Sequence, residues 1–139
     1  MPSPVATVKK YWLIFRICLL MGMIRLALKW VTLPNILACL QPKKISETKD
    51  EAFAQKLAYF TDQLLRIFPA NPRGNCLPRS LMLFRLARLQ GFPVVFHCGV
   101  RRDASDLVGH AWLTLHDQPF LEPTKEHEQM VKTVSFPTE

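Results

Sequence analysis

Apolar spacing changes period once along this 139-residue chain, at Gly91, and that change limits the folds open to it. Before Gly91, apolar residues recur at threes and fours. Phe53, Leu57, Phe60, Leu64, Ile67 and Phe68 fall on one side of a helix predicted over residues 51–68. After Gly91, PVVFHCGVRR (Pro93–Arg102) and HAWLTLH (His110–His116) are β-branched and aromatic with no helical stripe, and read as strands. His116-Asp117-Gln118-Pro119 has the composition of a turn into a third strand, Phe120–Glu122. Helices followed by a small antiparallel sheet predict an α+β fold.

The length suits a single domain, 1–139, which divides into a basic, apolar helical region (1–46) and a core (47–139). Between them, QPKKISETKD (Gln41–Asp50) reads as a loop, with Ser46, Lys49 and Asp50 placed to open the next helix. FPANPRG (Phe68–Gly74) reads as a second loop. Apolar residues make up 49% and charged residues 21%, ordinary globular values that favour neither a disordered chain nor a disulfide scaffold. The four cysteines, Cys18, Cys39, Cys76 and Cys98, form no CxxC pair and are expected to be free thiols in a reducing compartment.

The net charge of +7 is carried by residues 1–46, where Lys9, Lys10, Arg16, Arg25, Lys29, Lys43 and Lys44 meet no acidic residue. Interleaved with Leu, Ile and Met, these bases point to a membrane surface or an acidic protein ahead of nucleic acid; a solvated stripe is the plain alternative. Tyr11–Leu40 reads as a long helix and a shorter one, with breaks expected near Gly22 and Pro34. Arg16, Arg25 and Lys29 leave only Ile17–Ile24 free of charge, so neither a transmembrane span nor a signal peptide is predicted. Ile36-Leu37-Ala38-Cys39 loosely echoes a lipoprotein box, but a buried cysteine is the expectation. These features place the chain in the cytoplasm, with peripheral contact at a membrane open to it.

NCLPRSLMLFRLARLQG (Asn75–Gly91) is the segment that suggests chemistry. Asn75 is a favoured N-cap, Pro78 is tolerated only in a first turn, and Gly91 suits a C-cap, so the helix is predicted to start at Cys76. Unpaired N–H groups and the helix dipole favour negative charge there, as a thiolate or as an oxyanion on a substrate carbonyl. A thiolate nucleophile needs a base and a group to orient that base. His110 opens a strand as the best base, and Glu122 on the neighbouring strand can reach it; Asp117, in the turn, is the weaker orienter. No metal is expected, because adjacent His97 and Cys98 point to opposite faces of a strand and cannot easily join Cys76 and His110 around one zinc. Arg79, Arg85 and Arg88 read as a solvated helix face, and His116 and His127 as surface residues. No Gly-rich phosphate loop occurs, and no cofactor is expected.

Cys76-Leu77-Pro78-Arg79, Gly91-Phe92-Pro93, Gly99-Val100-Arg101-Arg102 and His110-Ala111-Trp112, in this order, resemble the transglutaminase-like leader peptidases of lasso peptide biosynthesis. The resemblance extends to the apolar, basic amino-terminal helix and implies a transglutaminase-like core. It implies a cysteine endopeptidase that cuts the leader from a ribosomally made precursor peptide. Cys76 would be the nucleophile, His110 the general base and acid, and Glu122 the acidic third member, where the family commonly has Asp. It also implies a separate leader-binding protein and an asparagine-synthetase-like macrolactam cyclase as partners. Two rival functions remain: a transamidating acyltransferase on the same scaffold, and a non-catalytic adaptor that docks a peptide, a cyclase or a membrane.

Overall fold

The computed structural model describes residues 3–43, 47, 49–67, 75–122 and 125–137. Ser46, Phe68 and the FPANPRG loop lie outside the described residues. Four helices, α1 (Pro4–Trp30), α2 (Leu33–Leu40), α3 (Glu51–Ile67) and α4 (Cys76–Leu89), precede four strands, β1 (Val95–Asp103), β2 (Asp106–Leu115), β3 (Gln118–Pro119) and β4 (Val131–Phe136). The strands form one antiparallel sheet in the order β3-β2-β1-β4, so the α+β expectation holds. Helix α4 occupies the middle, packed on the sheet on one side and on α1, α2 and α3 on the other. One continuous core runs from Ile17 through Leu37, Leu57 and Phe84 to Phe96 and Leu113.

Helix α1 starts where Ser3 accepts the Ala6 N–H at 3.2 Å, with Pro4 in the first turn. It does not break at Gly22. Met21 and Ile24, buried on either side, supply packing that offsets the roughly 1 kcal/mol a helical glycine costs. The chain leaves the helix at Val31 instead, and Pro34 sits in the first turn of α2, where its missing N–H costs nothing. By length and composition α1 is also able to cross a membrane, although Ile17, Met21 and Ile24 are buried in the core. Cys39, expected to be buried, is exposed on α2.

Asp50 caps α3 by accepting the Phe53 N–H at 3.1 Å. The fully buried residues of α3 are Ala54, Leu57, Ala58, Thr61 and Leu65; Phe53, Phe60 and Leu64 of the predicted stripe pack half-buried against the core, and Ile67 is exposed. Small side chains at 54, 58 and 61 let the helix come close, and Thr61 satisfies its hydroxyl on the Leu57 carbonyl at 2.8 Å. Helix α4 ends as expected: Gly91 adopts φ 91°, its N–H reaches the Arg88 carbonyl, and the Phe92 N–H reaches the Ala87 carbonyl.

Strand β2 begins at Asp106, four residues before the predicted start at His110, because a tight turn through Ala104 (φ 55°) joins it directly to β1. His116 and Asp117 turn with φ 50° and 65°, but the predicted third strand at Phe120–Glu122 does not form. Pairing ends with the Phe120 N–H on the Leu113 carbonyl at 2.9 Å, and Leu121 takes φ 56°, which turns the chain out of the sheet. The segment then makes a 3-10 turn, Glu126–Gln129, and reaches the opposite edge of the sheet as β4, a strand the composition did not disclose.

Candidate active site

The start of α4 meets the sheet beside β2. Cys76 is the first residue of the helix, half-buried, and Ser80, one turn on and on the same face, donates to the Ala111 carbonyl at 2.9 Å. That bond fixes the helix against the residue next to His110. Asn75 caps by position without a side-chain bond; its carbonyl accepts the Arg79 N–H at 3.0 Å. The N–H groups of Cys76 and Leu77 precede the helical ladder, and Pro78 has none to offer. Burial, then the neighbouring Cys76 thiol, push the Cys98 thiol up, with the Gly99 N–H pulling it back, so the two sulfurs share one neighbourhood.

His110 is buried on β2, its ring stacked on Trp112 at 5.9 Å and 11°. Its Nε2 lies 3.2 Å from Glu122 Oε2, and the Glu122 side chain is only 4% exposed. Glu122 is held in turn by the start of α4. Arg79 donates from Nη2 to the Leu121 carbonyl at 2.8 Å, has Nη1 4.0 Å from Glu122 Oε1, and pairs from Nε with Asp62 of α3 at 2.7 Å. One guanidinium thus links α3, α4 and the residue that faces His110. The expectation that Arg79, Arg85 and Arg88 form a solvated face is wrong. Arg85 donates to the Leu40 carbonyl, and Arg88 donates to the Val94 carbonyl while lying over the Phe84 ring at 5.2 Å; burial lowers its pKa.

Two of the three expected site residues are therefore bonded to each other, His110 and Glu122. The Cys76 thiol has no hydrogen-bond partner among the described residues. The second His110 nitrogen, Nδ1, instead faces Glu126 Oε2 at 3.6 Å, a carboxylate 52% exposed. Glu126 carried no sequence signal, since it approaches His110 only because the segment after Leu121 crosses the sheet. Asp117, the weaker orienter, stays exposed in its turn.

Strand alternation puts His97, Trp112 and His110 on one face and Cys98 and Ala111 on the α4 face. His97 is bonded at 2.8 Å to both Ser135 and Thr114. Burial, and secondarily Lys132, lower its pKa to about 4 against an opposing effect of Asp117. His127, expected at the surface, is half-buried with its ring 6.1 Å from Trp112. His116 is exposed as expected.

No curated protein and no solved structure matches the chain. The family model described as the transglutaminase-like superfamily does match, over residues 18–135. That span begins inside α1, takes in α4 and strands β1 to β3, and ends one residue short of the end of β4. A helix that starts with cysteine, packed on an antiparallel sheet beside a histidine strand, is thus the local form of a cysteine peptidase and acyltransferase scaffold, and the chain belongs to the transglutaminase-like superfamily.

Proposed function

We propose that the chain is a cysteine endopeptidase that removes the leader from a lasso-type precursor peptide, with Cys76 as nucleophile, His110 as base and acid, and Glu122 as its orienting acid. The observation that carries this is the buried Glu122, held between His110 and the first turn of the Cys76 helix. A carboxylate there fixes the imidazole and stabilises the imidazolium that forms when the thiol gives up its proton. With Nε2 on Glu122, Nδ1 is the nitrogen left to serve the thiol. Nδ1 stands 3.6 Å from the exposed Glu126, beyond hydrogen-bond length, and the mechanism requires it to turn from Glu126 to the thiol.

In the first step Cys76 Sγ attacks the carbonyl at the leader-core junction, and its proton passes to His110. The N–H groups of Cys76 and Leu77, at the start of α4, would receive the oxyanion. His110 then protonates the departing core amine as the C–N bond breaks, leaving the leader as a thioester. Water, deprotonated by His110, hydrolyses the thioester to a free leader carboxylate. The freed amine is the group a macrolactam cyclase would join to an Asp or Glu side chain, and a separate leader-binding protein would present the precursor.

The test is cleavage of a cognate precursor mixed with its leader-binding protein. Cys76→Ala and His110→Ala abolish cleavage, and Glu122→Gln retains part of it. Cleavage persisting in purified Cys76→Ala protein overturns the proposal. Product mass separates hydrolysis from transamidation, since a free leader acid and an amide adduct differ.

A further inference from the structure

Helix α1 is apolar on two opposite sides. One side sends Ile17, Met21 and Ile24 into the core. The other presents Val8, Trp12, Phe15, Leu19, Met23 and Leu26, each between 55 and 67% exposed, and Trp30, at 83%, closes the row. Their spacing of three and four residues makes one continuous stripe roughly 33 Å long at the helical rise. Exposed apolar surface on this scale marks a contact with something else.

The charges along the stripe select the occupant. By the helical turn, Lys9 and Arg16 border it on one flank and Lys29 on the other, all three exposed, and residues 1–46 contain no acidic residue. A second copy would set these bases against their own kind. An anionic lipid surface matches them. It also matches the shape, since a single cylindrical helix offers no recess for a partner's side chains, and Trp12 and Trp30 suit the headgroup layer. A spanning arrangement would strip Ile17, Met21 and Ile24 from the core.

We propose that α1 docks the protein flat on an anionic lipid surface, its outer apolar stripe entering the headgroup boundary while Lys9, Arg16 and Lys29 meet lipid phosphates. Because α1 lies on the side of α4 away from the sheet, the His110 face is turned from the lipid. Docking is independent of the peptidase chemistry, so it stands or falls without it.

The experiment uses the full chain with vesicles of phosphatidylcholine alone or containing phosphatidylglycerol, read by co-sedimentation and by the blue shift of tryptophan emission. Binding is expected only with phosphatidylglycerol, and raised salt weakens it. Trp12→Ser with Leu19→Ser, at exposed positions, keeps the circular dichroism of the parent and binds more than about tenfold less. Replacing Lys9, Arg16 and Lys29 with Gln removes the preference for anionic vesicles. The proposal is overturned by absence of binding to either vesicle, by equal binding to both, or by a fraction that alkaline carbonate cannot extract, which means spanning. Lipid-free dimerisation that the Trp12→Ser, Leu19→Ser variant abolishes overturns it as well, in favour of a second copy.

Discussion

Arg79 shows how far a residue's role can lie from its local sequence. Position 79 in CLPR reads as the outer face of a first turn, yet the side chain is only 12% exposed because its partners, Asp62 and Leu121, arrive from 17 residues before and 42 after. Cys76 was legible for the opposite reason: Pro78 and Gly91 bracket the helix by local backbone rules that hold before any tertiary contact forms. Arg79→Lys keeps the charge but loses the planar fork that reaches Asp62 and Leu121 together. Activity is expected to fall through kcat with KM little changed, and stability by about 1–3 kcal/mol, read from denaturant midpoints. A variant with parental kcat would remove Arg79 from the positioning of Glu122. The cysteines give a second measurement. Cys98, held up by burial and by Cys76, should alkylate after Cys76 at neutral pH, as mass mapping of iodoacetamide adducts would report. Labelling of Cys98 first would contradict an activated Cys76.

At the scale of elements, the two central strands were readable because β-branched and aromatic runs carry a pairing preference of their own, whereas β3 and β4 were not. Strand β3 is two residues long, and the φ 56° of Leu121 ends what looked like a third strand. Strand β4 is exposed over its first half, so it lacks the apolar alternation that discloses a strand. Its pairing with β1 leaves no room above Gly99. A Cβ there would lie 2.7 Å from the Val131 carbonyl and 3.0 Å from the Trp112 ring. Gly99→Ala should cost about 1–3 kcal/mol and disturb the Trp112–His110 stack, seen as a lower Tm and a changed tryptophan spectrum. On the same face, His97 favours its neutral form when folded, with its pKa lowered from 6.5 to about 4. Its contribution to stability is therefore complete above pH 6.5 and lost as pH falls towards 4. Thermal melts across that window should show a smaller acid loss in His97→Gln than in the parent; parallel curves would assign the acid loss to other groups.

For the whole molecule, the decisive question is whether α1 belongs to the fold or merely hangs on it. A helix of 27 residues with apolar side chains on opposite faces gives no single amphipathic stripe, which is why the sequence showed its basic character more clearly than its packing. The packing itself is one-sided. Ile17, Met21 and Ile24 close the core shared with α4, and the family match already begins at residue 18. Truncating an inward residue should therefore destabilise the transglutaminase-like core, while truncating an outward one should not. Met21→Ala is expected to cost about 2–5 kcal/mol in urea unfolding, the range for deleting a buried aliphatic side chain. Trp12→Ser is expected to stay within about 0.5 kcal/mol of the parent, as exposed substitutions do. The contrast must appear with both near-ultraviolet circular dichroism of Trp112 and far-ultraviolet helix signal, because a core built across α1, α4 and the sheet loses them together. Were Met21→Ala to leave the Trp112 transition unmoved, α1 would be an appendage, and the sheet and α4 would have to hold the His110–Glu122 pair without it.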